Sequence, residues 1–127
     1  MKRTMSLTIA SLLSILLLSL HFTDDLVRGI SRADSVSIIA SLILVVPLYG
    51  TLALAGRRSG LIIMLLGGIF ATGMPVIHFR GTRIVDIASS SGGFFFIWTL
   101  IALGTTGIYT IMLAAQGLWS LRSGAKR

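Results

Sequence analysis

Apolar residues run along this chain in four long blocks separated by short polar breaks. The uncharged blocks are Thr4 to Phe22, Val36 to Ala55, Leu61 to Phe79 and Phe94 to Trp119. None shows the period of two that marks a half-buried strand. A helix rises about 1.5 Å per residue, so about 20 residues cross a 30 Å hydrocarbon layer. Backbone N–H and C=O groups find no partners in hydrocarbon, so apolar stretches of this length are expected to be helical. The pattern therefore predicts an all-α integral membrane bundle. It forms a single four-helix domain over residues 1–127, with transmembrane helices at about 4–22, 36–55, 61–79 and 94–119. The short turn Gly56-Arg57-Arg58-Ser59-Gly60 makes the second and third helices antiparallel neighbours. The longer breaks, 23–35 and 80–93, leave room for a short interfacial helix, and Ser89-Ser90-Ser91-Gly92-Gly93 reads as a flexible lead into the fourth.

Charge orients the bundle. If the first helix starts inside, the inner segments carry Lys2, Arg3, Arg57, Arg58, Arg122, Lys126 and Arg127. The outer loops carry Arg28, Arg32, Arg80 and Arg83 together with every acidic residue, Asp24, Asp25, Asp34 and Asp86. Basic residues favour the cytoplasmic side, so both termini are expected in the cytoplasm, and the bias argues against dual topology. Lys2 and Arg3 ahead of Leu7 to Leu20 also fit a signal peptide, but His21 and Phe22 stand where a small-residue cleavage pattern would be needed. Aromatic rings favour the interfacial depth. Phe22, Phe79, Phe94, Phe95, Phe96 and Trp98 are expected at the outer boundary, with Trp119 at the inner one.

Composition narrows the class. The chain is 54% hydrophobic and 12% charged, against about 25% charged in a typical soluble domain. Its formal charge is +7. The basic residues sit in small groups between apolar runs rather than along one stripe, which removes nucleic acid as a partner. There is no cysteine, so disulfides, thiolate metal sites and cysteine nucleophiles are excluded. No serine-centred elbow and no phosphate-binding glycine loop is present.

Small residues recur at helical spacing: Ser6, Ala10 and Ser14; Ser37 and Ser41; Gly67, Gly68, Ala71 and Thr72; Gly107, Thr110, Ala114 and Gly117. In lipid such stripes allow close backbone approach, and simple packing explains them better than a hydroxyl-lined substrate path. Pro47 and Pro75 lie inside predicted helices and are expected to kink them. Tyr109 is expected to bond a neighbouring helix.

The chemistry gathers at the outer margin. His21, Asp24 and Asp25 share one side if the first helix continues a turn. His78 ends the third helix at the same depth, and Asp86 follows in the second outer loop. His21, Asp24, Asp25, His78 and Asp86 are therefore the candidate metal ligands. Imidazole with carboxylate suits zinc, iron or manganese, a haem held by His21 and His78 is a further possibility, and histidine beside aspartate also suits proton transfer. The plainer reading pairs Asp24 and Asp25 with Arg28 and leaves the histidines among the headgroups. The repeated His-Phe, at His21 and His78, is too short to establish a duplication.

In length and helix number the chain is similar to small four-helix multidrug exporters. Their first helix is expected to carry a glutamate, and SLTIASLLSILLLSL has none, so no residue carries over. Three functions remain as expectations. The first is an accessory or structural protein of a bacterial inner membrane, meeting the bilayer, another membrane protein or a second copy of itself through the small-residue faces. The second is a small transporter or channel subunit using Pro47 and Pro75 as moving parts. The third is an outer-face metal or haem protein using His21 and His78.

Overall fold

A computed structural model describes the backbone of residues 2–30, 33–81 and 84–124 and the side chains of residues 4–30, 40–80 and 84–123. Arg32, Arg83, Lys126 and Arg127, and the side chains of Lys2, Arg3, Asp34 and Ser37, lie outside the described residues. The elements are α1 (Lys2–Val27), α2 (Ala33–Leu52), α3 (Arg58–Gly81), the short α4 (Ile84–Ala88) and α5 (Gly93–Gly124). No strand is present among the described residues. Within α1, α3 and α5, the stretches Thr4–Val27, Arg58–Arg80 and Gly93–Ser123 are long and apolar enough to cross a membrane. In α2, whose side chains are described from residue 40, the apolar stretch described is Ala40–Leu52. These helices point to a membrane protein. Only 33% of each apolar window is buried inside the bundle, and the outside carries Leu16, Leu66, Ile69, Ile108 and Met112. Helices apolar all round suit a protein core on one side and hydrocarbon on the other.

The helices differ from their predicted bounds where capping decides. α1 runs past Phe22 to Val27 because Thr23-Asp24-Asp25-Leu26-Val27 holds no breaker. It stops at Gly29, whose φ is 68°. The Gly29 N–H bonds the Leu26 carbonyl and the Ile30 N–H bonds the Asp25 carbonyl, a Schellman cap that glycine makes without strain. Much of the predicted first outer loop is therefore helix, and Asp24 and Asp25 lie inside the apolar stretch rather than beyond it. The second long break carries the expected short helix, α4.

Packing rests on the closeness of two backbones. α3 and α5 share the most extensive contact, α1 packs on α5, and α2 lies against α1 and α3. A Cβ on Gly68 would stand 3.0 Å from the Gly107 carbonyl oxygen, and one on Gly107 would stand 2.6 Å from Thr72 Oγ1. Small residues let membrane helices approach in this way. Both prolines sit inside continuous helices, and their rings face glycines across the interface. Pro47 lies opposite Gly67, and Pro75 opposite Gly104. The hydroxyls of Ser14, Thr72 and Thr110 bond carbonyls one turn earlier on their own helices, and Ser11 joins Thr51 across α1 and α2 at 2.7 Å. The small residues of α3 and α5 thus face each other inside the bundle, whereas Ser41 on α2 is exposed. One apolar cluster gathers Leu18, Ala71, Met74, Phe96, Leu100 and Leu103, and another gathers Leu7, Leu61, Met64 and Ala114.

Two expectations about aromatics are corrected. Tyr109 does not reach a neighbouring helix; it faces outward, 51% exposed. Phe96 is not an interfacial anchor, being 0% exposed, whereas Phe79, Phe94, Phe95 and Trp98 are exposed. A helix of 3.6 residues per turn cannot aim three consecutive phenylalanines the same way.

Gly107→Leu is expected to force α3 from α5 and to cost about 1–3 kcal/mol, the usual cost of overpacking. Gly73→Ala, whose Cβ would meet nothing within 4 Å, should leave stability nearly unchanged. Thermal unfolding of both variants in one detergent checks the difference.

Candidate functional site

Three helix ends converge at one end of the bundle. α1 and α3 finish there, and α5 begins there. His21 and Asp25 stand four residues apart on α1, which places them on one face. His78 comes from the last turn of α3, and Phe96 and Thr99 from the first turns of α5. His21 is 0% exposed, Asp25 2% and His78 6%. His78 Nε2 lies 3.2 Å from Asp25 Oδ2, and His21 Nε2 lies 3.8 Å from Asp25 Oδ1. The imidazole centroids are 4.7 Å apart with the rings edge to face. Phe96 covers both, at 5.0 Å from His21 and 5.6 Å from His78.

The hydrogen bonds decide which nitrogens carry protons. His78 Nδ1 lies 3.0 Å from the Met74 carbonyl. A carbonyl only accepts, so Nδ1–H donates and Nε2 faces Asp25. Thr99 donates its hydroxyl to the Phe96 carbonyl at 2.9 Å. Its oxygen is thereby left as the acceptor for His21 Nδ1–H, at a long 3.5 Å. Both imidazoles thus direct Nε2 at the same carboxylate. His21 Nε2 and Asp25 Oδ1 are buried with no hydrogen-bond partner. Buried polar atoms are ordinarily paired, and a lone pair facing a carboxylate is unfavourable unless a cation lies between them. Ligand atoms of His21, Asp25 and His78 all lie within 4.8 Å of one another. Metal–ligand bonds of about 2.0–2.2 Å place neighbouring ligands about 3–3.5 Å apart, a range that holds the His78–Asp25 separation of 3.2 Å and is exceeded by the His21–Asp25 separation of 3.8 Å. The outward N–H of each imidazole, held by a carbonyl or a hydroxyl, is the arrangement that orients metal-binding histidines.

Haem does not fit this pair. Two imidazoles on opposite faces of an iron, each bonded at about 2 Å, would hold their ring centres more than about 6 Å apart with a flat slot between them. Here the centroids are closer than that, and Asp25 reaches both Nε2 atoms.

Of the five candidate ligands, the fold gathers three. Asp24 lies to the side, 2.8 Å from Arg28 Nε, and Asp86 is on the exposed surface of α4. The expected pairing of both aspartates with Arg28 is thus half right, since Asp25 turns inward to the histidines. Arg28 also donates to Ser90 Oγ at 3.0 Å and to the Ser91 carbonyl at 3.3 Å, tying the end of α1 to the turn before α5. Its guanidinium sits 5.6 Å from the Phe96 centroid. Next to it, Gly92 adopts a φ of 74°, and a Cβ there would meet Arg28 Nη2 at 3.0 Å. Thr99, Met74 and Phe96 were not visible as site residues in the sequence. Their roles depend on which face of α5 and α3 turns inward, and those helices are apolar on every side.

A separate cavity of about 310 Å³ lies deeper between the helices, bordered by Ser11, Ser14, Pro47, Gly67, Phe70 and Thr110. Its hydroxyls bond one another or their own helices.

In comparisons with protein-family models, curated proteins and solved structures, this chain matches none.

Arg28→Gln should release α1 from the Ser90–Ser91 turn. Because Arg28 and Asp24 are partly exposed, the expected loss of stability is about 1 kcal/mol or less. Amide exchange should speed up at residues 28–30 and 89–92 and remain unchanged in the middle of α3. Unchanged exchange at both segments would show that the tie holds nothing.

Proposed function

We propose that this chain is an integral protein of a bacterial inner membrane whose outer end binds a divalent transition-metal ion through His21, His78 and Asp25. In this reading the chain crosses the bilayer four times and keeps both termini in the cytoplasm. α2, with 20 residues, has the length of a fourth crossing, about 30 Å. The orientation is supported by charge, since the acidic residues group with the histidines and Arg57, Arg58 and Arg122 lie at the opposite end.

One observation carries the metal reading: two imidazoles, with their N–H groups engaged elsewhere, aim Nε2 at one buried carboxylate and leave two orphaned atoms. A single shared proton would satisfy His78 and Asp25 at 3.2 Å but not His21 at 3.8 Å. A metal ion would satisfy all three. Two histidines and one carboxylate form a donor set used for iron and zinc, with coordination positions left open. An ionisable group at membrane depth is itself a mark of function. The bilayer is the partner this reading needs. A membrane-protein partner or a second copy would dock on the large apolar exterior.

Detergent-purified protein is expected to hold about one equivalent of a transition metal by element analysis. His21→Ala, His78→Ala and Asp25→Asn should each weaken binding by more than the ~10–100-fold that loss of a metal's outer-shell partner costs. Asp24→Asn and Asp86→Asn should retain the metal. Metal content should fall on acidification, since imidazole must be neutral to ligate. A well-folded protein that takes up no zinc, iron or manganese would refute the metal site and return the chain to the accessory class.

A further inference from the structure

A second cleft lies at the other end of the bundle, between the start of α3 and the end of α5. Its volume is about 330 Å³, and Arg58 and Arg122 border it together with Trp119. The floor is apolar, made by Ile62 and Leu65 on α3 and Leu118 on α5. Among the described residues neither guanidinium has a hydrogen-bond or ion-pair partner. Asp24, Asp25 and Asp86 are all at the histidine end. Two unpaired cations over an apolar floor call for an occupant with an anionic head and a hydrocarbon body.

We propose that this cleft binds one anionic glycerophospholipid. Arg58 and Arg122 hold its phosphate, and the upper part of an acyl chain lies along Ile62, Leu65 and Leu118. Guanidinium groups match phosphate oxygens in bidentate geometry. The two arginines stand at the ends of the apolar stretches Arg58–Arg80 and Gly93–Ser123, the depth at which headgroups lie. Trp119, 74% exposed, belongs at that depth as well, where its ring meets both hydrocarbon and water. Basic pockets between membrane helices are a recurrent way of holding anionic headgroups. Arginines that served only to orient the chain would need no cleft between them. A free phosphate would have no use for the apolar floor, which is why the lipid is favoured over the ion. The proposal is independent of the metal site, which lies at the opposite end.

Native mass spectrometry of the full chain in detergent tests it, with phosphatidylglycerol and phosphatidylcholine of identical acyl chains as probes. Phosphatidylglycerol should be retained in preference, at about one per chain. Arg58→Gln and Arg122→Gln should each weaken its retention roughly tenfold. Arg57→Gln removes the same charge from the neighbouring turn outside the cleft and should change little. Ala115→Trp fills the cleft while keeping both arginines, and should weaken retention as well. Circular dichroism confirms that each variant is folded. Glycerol 3-phosphate at the same concentration should not compete. The proposal is overturned if Arg57→Gln weakens retention as much as the other two, if both lipids are held equally, if the filled cleft still binds, or if glycerol 3-phosphate competes as well as the lipid.

Discussion

A carboxylate that is 2% exposed has almost no water to solvate it, and the histidine end of this protein is organised around that fact. Asp25 holds its inward position because α3 and α5 bring partners to it. His78 supplies one imidazole across the bundle, His21 another from the same helix, and Phe96 closes the space above them. Burying a charge with too few partners is costly. The two orphaned atoms that remain, His21 Nε2 and Asp25 Oδ1, are therefore the most informative feature of the site. They stand 3.8 Å apart, a pairing that a proton or a metal ion would complete.

The rest of the fold maintains that convergence. Gly68 and Gly107 let the α3 and α5 backbones approach, and this contact sets where the first turns of α5 meet the last turn of α3. The same register puts Phe96 over His78 and Thr99 beside His21. Gly29 ends α1 one turn beyond Asp25, so the carboxylate is held by regular helix rather than by a loop. Arg28 then fastens that end to the turn before α5. A carbonyl, a hydroxyl and a tightly packed phenylalanine hold the two imidazoles in place, the support that the proposed metal site would need.

The two ends of the bundle are chemically opposite. One buries Asp25 between two imidazoles, where we propose that a metal ion binds. The other exposes Arg58 and Arg122, which have no hydrogen-bond or ion-pair partner among the described residues, beside an apolar floor, where we propose that a phosphate ester with a hydrocarbon tail binds. Between them the bundle buries Ser11, Ser14, Thr51 and Thr110 among apolar side chains, and these hydroxyls bond one another or backbone carbonyls.

The helical class, the apolar stretches and the sorting of charge to the two ends were legible in the sequence, because hydrocarbon leaves a backbone few options and repels charge from its middle. The residues His21, Asp25 and His78 were legible as candidates for the same reason: histidine and aspartate stand out against so apolar a background. Their selection over Asp24 and Asp86 was not. Asp24 and Asp25 are adjacent and chemically identical, and only the inward face of α1 decides that one meets the histidines while the other meets Arg28. Nor could the sequence single out Phe96 from Phe94 and Phe95, or attach Thr99 and Met74 to the site. α3 and α5 are apolar all round, so their hydrophobic pattern does not say which side faces the bundle, and that rotation is set by glycine contacts between residues about 40 positions apart. Local pattern determined what the segments are; the fit of one backbone against another decided which side chains meet.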